Sequence, residues 1–73
     1  MKGKIQIKSI FGKVLFEWET EENSVKKTLL EAIKNNADLR SANLYGADLS
    51  SADLRSANLR SADLRSANLS SAD

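Results

Sequence analysis

Neither cysteine nor histidine occurs anywhere in the 73 residues, and glycine is found only at positions 3, 12 and 46. The first two absences remove disulfides, thiolate nucleophiles, imidazole bases and the usual zinc ligands. Three scattered glycines cannot form a phosphate-cradling loop, and serines without a histidine base lack the partner that activates a hydroxyl. A large net charge is missing too: eleven basic residues face ten acidic ones, for a formal charge of +1. Such a balance argues against a wholly acidic or nucleic-acid-binding surface. No apolar run is long enough to span a bilayer, and Met1-Lys2-Gly3-Lys4 leads into no signal-peptide core. The expectation is a soluble, cytoplasmic protein without metal or cofactor, and not an enzyme. Carboxylates recur only because a repeat recurs, and nothing sets one apart from the next as acid or base.

What is present divides into two compositional segments, read as domains 1–36 and 37–73. All seven Lys and all five Glu lie in the first, and all four Arg and all five Asp in the second. In the first segment Ile5 and Ile7 alternate with polar neighbours, and Val14, Phe16 and Trp18 alternate with Leu15, Glu17 and Glu19, the period of two strands. Ser9 to Lys13 reads as the hairpin loop, with Gly12 able to supply a positive φ. A helix follows, with Asn23 or Ser24 as its N-cap. Val25, Leu29, Ala32 and Ile33 form its apolar stripe, widened by Leu30, while Lys27 and Glu31 stand at i, i+4 spacing on the other side. Asn35-Asn36 suits its end, since asparagine tolerates the left-handed conformation.

From Ala37 the chain reads ADLRS ANLYG ADLSS ADLRS ANLRS ADLRS ANLSS AD. Leucine recurs at 39, 44, 49, 54, 59, 64 and 69, and alanine stands two places before each. In an α-helix five residues turn through about 500°, so successive leucines would step roughly 140° and share no face. In a flat strand the odd period would send them to opposite faces. A corner every five residues resolves both difficulties. Ala and Leu then point inward, the Asp or Asn and the residue after Leu point outward, and Ser or Gly occupies the turn. Such a chain winds as a coil whose turns supply each other's backbone hydrogen bonds at about 4.8 Å.

The A(D/N)LXX units of residues 37–73 resemble the pentapeptide-repeat family. The resemblance implies a mainly β fold: a right-handed quadrilateral β-helix with four repeats per coil, here under two coils, preceded by a β-hairpin and α-helix cap. The segment SIFGKVLFE and the helix running into NNADLRSANL are similar to leaders of some bacterial and phage-type members. Family members vary their outward positions and often place Gly at the corner, whereas Ser fills six of the seven corners here. That regularity suggests an engineered or consensus sequence on a natural leader, or else recent repeat duplication.

Twenty residues per coil would set Asp38 over Asn58, Asn43 over Asp63 and Asp48 over Asn68, alternating charge with neutral amide. Asp53 over Asp73 and Arg40 over Arg60 are the like-charge exceptions. Burying seven leucines falls short of ordering the 37 repeat residues, so the coil needs covered ends. Phe16, Trp18, Leu29 and Ile33 are expected to cover the first coil, and Tyr45 to pack on the helix at the leader junction. Past the last repeat no cap is visible, so Leu54, Leu59, Leu64, Leu69 and Asp73 form the expected self-association face of an end-to-end homodimer. The core-lining set is Leu39, Leu44, Leu49, Leu54, Leu59, Leu64 and Leu69. The functional expectation is a non-catalytic structural or self-assembly scaffold. The alternatives implied by the resemblance are a DNA-mimicking inhibitor of a type II topoisomerase such as gyrase, or a phage or bacterial protein-interaction module. A DNA mimic should be long and strongly acidic, and this coil carries Arg40, Arg55, Arg60 and Arg65 among its Asp residues. The same interleaving argues against nucleic acid as a partner, since Asp cancels Arg and only Tyr45 could stack on a base.

Overall fold

Lys2–Lys8 forms strand β1 and Val14–Glu21 forms strand β2, an antiparallel pair in the computed structural model, which describes residues 1–73. Ile5 stands opposite Trp18 and Ile7 opposite Phe16, so the alternation brings four apolar side chains to one face. Gly12, at φ 90°, turns the loop. The buried Ser9 hydroxyl holds that loop by accepting the amides of Phe11 and Lys13, both at 3.1 Å. The alternation fails at one place. Lys8 pairs with Val14 rather than Leu15, so Leu15 is an extra residue, a bulge. Expected on the polar side with Glu17 and Glu19, Leu15 is instead half-buried and packs against the core.

Val25–Lys34 forms α1. Ser24 is the N-cap, its hydroxyl accepting the Lys27 amide at 3.0 Å, and Asn36, at φ 57°, carries the chain away in the left-handed conformation. The buried face comprises Thr28, Leu29 and Ala32, with Leu30 and Ile33 half-buried, whereas Val25 is exposed. Thr28 was not legible as an inward residue. It tolerates burial because its hydroxyl donates to Asn23 Oδ1 at 2.9 Å. Lys27 does not pair with Glu31: its ammonium donates to the carbonyls of Glu21 and Glu22 instead.

The leader meets the repeats through backbone. Ser9 forms an antiparallel bridge with Ala42, Ile10 N–H donates to Ser41 O at 2.8 Å, and Asn43 N–H donates to Lys8 O at 2.7 Å. The hairpin thus occupies the first edge of the coil. One core joins both segments: Ile7, Leu29, Ala32, Leu39, Ala42, Leu44, Leu49 and Ala52. Phe16 and Ile33 pack at its margin as expected, but Trp18 is absent from it, and Ile7 occupies the buried place instead. The register explains this, since Ile7 lies nearer the coil edge than Ile5, the residue that Trp18 faces.

From Ala37 the chain is β-helix-like. Leu44 N–H donates to Asp63 O and Asp63 N–H to Ala42 O, both at 2.9 Å, and the same alternation joins Leu49, Asn68 and Ala47. Two pairs named from the spacing, Asn43 with Asp63 and Asp48 with Asn68, form parallel bridges between residues twenty apart.

Candidate functional site

Each corner is built by the five residues themselves. The Ala amide at the start of a unit donates to the preceding Leu carbonyl at 2.9–3.1 Å, closing a four-residue turn at all seven corners. Ser41, Ser51, Ser61, Ser66 and Ser71 have φ between 57° and 63°, and Gly46 has 69°, while the residue before each keeps a negative φ. That combination defines a type II turn, which favours glycine at this position. Ser56 alone among the corner residues stays out of the left-handed region.

The second position of each unit has a role beyond pointing outward. Asp38, Asn43, Asp48, Asp53, Asn58, Asp63 and Asn68 each accept, through Oδ1, the amide two residues on, at 3.0–3.2 Å. This is an Asx turn leading into every corner. The restriction of this position to Asp or Asn is the one trace of the turn in the sequence, since both carry an Oδ1 at the right reach.

Three arginines continue the motif by gripping the same carboxylate. Arg40 Nη2 lies 2.7 Å from Asp38, and Arg55 and Arg65 lie 2.9 Å from Asp53 and Asp63. The hydrogen bonds from these arginines pull the carboxyls of Asp38 and Asp53 down to about 2 and lower that of Asp63. Asp48 is lowered by the Ser50 hydroxyl. The Arg65 guanidinium also lies over the Tyr45 ring, 5.6 Å from its centroid, a cation–π contact between residues twenty apart. Tyr45, expected on the helix, is 61% exposed and has this neighbour instead.

The predicted leucines divide by position. Leu39, Leu44 and Leu49 are buried, Leu54, Leu59 and Leu64 are half-buried, and Leu69 is 41% exposed. Backbone pairing follows the same gradient. The amides of Ser41, Leu44, Gly46, Leu49 and Ser51 donate to the next turn of chain. Their counterparts at Ser61, Leu64, Ser66, Leu69 and Ser71 make no backbone hydrogen bond. Asp73 is exposed at this rim, its amide donating to Ala52 O at 2.9 Å and its carbonyl accepting from Leu54. The result is an apolar centre ringed by free donors and acceptors.

No group of three or more acidic, Cys or His side chains converges to hold a metal ion, and no helix is long and apolar enough to cross a membrane. A sequence model of the family described as pentapeptide repeats matches residues 35–73, in eight copies. No curated protein and no solved structure gives a match.

Proposed function

Because the chain belongs to the pentapeptide-repeat family, we propose that it is a non-catalytic scaffold whose activity is association through the open rim of its coil. In this reading residues 1–36 are a cap and residues 37–73 a right-handed quadrilateral β-helix of just under two turns, four repeats to the turn. The occupant of the rim is a second copy of this chain, related by a two-fold axis, which closes the assembly at two subunits. The observation that carries the reading is the contrast between equivalent positions: Leu49 is fully buried and its amide paired, whereas Leu69, twenty residues on, is 41% exposed with its amide free. Leu54, Leu59, Leu64 and Asp73 complete the rim.

Light scattering on the 73-residue chain tests this directly. Twice the 8.0 kDa monomer mass is expected at micromolar concentration, and half of that for Leu69→Lys. A monomer for the unmodified chain, at concentrations up to the millimolar range, refutes the reading. Imitation of a DNA phosphate ladder is less well supported, because three of the five Asp carboxylates are each neutralised by an arginine two residues on.

A further inference from the structure

Of the four coil arginines, three hold a carboxylate and one does not. Arg60 follows Asn58, whose neutral side chain accepts the Arg60 amide at 3.2 Å and offers the guanidinium no charge. Arg60 makes no ion pair, and neither does Lys13 on the hairpin loop. These two free cations line the same groove of about 450 Å³ between the loop and the first corner of the coil, together with Arg40, Asp38, Phe11 and Leu15. Three cations thus face one carboxylate, which Arg40 already grips. Phe11 is 82% exposed on one wall of the groove, and the β2 bulge brings Leu15 to the same wall.

We propose that this groove binds a small organic oxyanion carried on a planar ring, of the aryl phosphate or mononucleotide type. The planar guanidinium of Arg60 presents a fork of donors to phosphate oxygens, and the Lys13 ammonium adds a second positive charge. Phe11 supplies a face on which the ring stacks, with Leu15 as apolar floor. The groove volume falls in the range of small-ligand sites, about 300–1,000 Å³. The groove meets the rim at Arg60 and Ser61, while Phe11, Lys13, Leu15, Asp38 and Arg40 line it from the leader and the first turn of the coil.

The test is a titration of the 73-residue chain with phenyl phosphate, adenosine monophosphate and inorganic phosphate, read by backbone amide NMR shifts and calorimetry. The two ring-bearing anions are expected to shift the amides near Phe11, Ser41 and Ser61 together, and inorganic phosphate to bind about fivefold more weakly for want of stacking. Whichever of the two binds more tightly names the source, a nucleotide or a phosphorylated phenol. Asn58→Asp supplies Arg60 with the carboxylate its three fellows have, at a position built for it, and should weaken binding about tenfold with unchanged circular dichroism. Arg60→Gln gives the same loss by removing the charge, and serves where Asn58→Asp fails to fold. Arg55→Gln, outside the groove, should leave the affinity unaltered. Equal binding of all three anions, or an unchanged affinity in the Arg60→Gln variant, overturns the proposal.

Discussion

A carboxylate and a carboxamide differ by a charge but share one oxygen, and in this coil the oxygen is what matters. Because Oδ1 of Asp or Asn holds the amide two residues on, the second position accepts either residue and nothing else of the same economy. Asn43→Ala should therefore cost about 1 kcal/mol in chemical denaturation, while Asn43→Asp should cost little. Corner residues obey a different rule. Ser51 sits at φ 62°, so Ser51→Val should destabilise by about 1–2 kcal/mol through clash of the branched side chain, and Ser51→Gly should be nearly neutral. Ser56→Gly, outside the left-handed region, should be mildly destabilising, and the difference between the two glycine variants in urea melts checks the corner geometry. The need for a bend was legible in the five-residue beat, since neither helix nor flat strand could gather the leucines. The Asx turn was not, because alternating Asp and Asn reads equally well as charge spacing between coils.

Among the elements, Asn23 makes the most hydrogen bonds between hairpin and helix. Asn23 Nδ2 donates to the carbonyls of Gly3 and Trp18 at 3.0 and 2.8 Å, and its Oδ1 accepts from Ser24 and Thr28. Asn23→Ala strands the buried Thr28 hydroxyl and two carbonyls, and should cost about 2–3 kcal/mol in thermal or urea unfolding. The elements were readable from period and caps: Gly12, Ser24 and Asn36 each stand where a turn, an N-cap and a left-handed exit demand them. The bulge at Leu15 and the displacement of Trp18 from the core were not, because they depend on where β1 must reach to bridge Ala42. Along the coil, the Arg pairs leave a pH signature. Folded Asp38 and Asp53 titrate near 2, below the ordinary carboxylate range, so the unfolded chain takes up protons first as pH falls. The stabilisation is complete above about pH 4 and disappears towards pH 2, a decline that melting temperatures across that interval should record.

At the scale of the whole molecule, the same residue type has two values depending on its turn of the coil. Leu44 is buried at 2% exposure, so Leu44→Ala should cost about 2–5 kcal/mol, whereas Leu69→Ala in an isolated monomer should cost under about 1 kcal/mol. If the rim binds a second copy, the melting temperature rises with protein concentration, and Leu69→Ala flattens that dependence. The ladder that joins Asn43 to Asp63 and Asp48 to Asn68 also makes length a quantised property. An insertion of twenty residues would return every later side chain to its compass bearing, merely lifted by one storey. If the coil is quadrilateral, as proposed, an insertion of five would keep each leucine inside yet swing the terminal rim round to the neighbouring wall, so that a second copy docked there would point a new way while the interior noticed nothing.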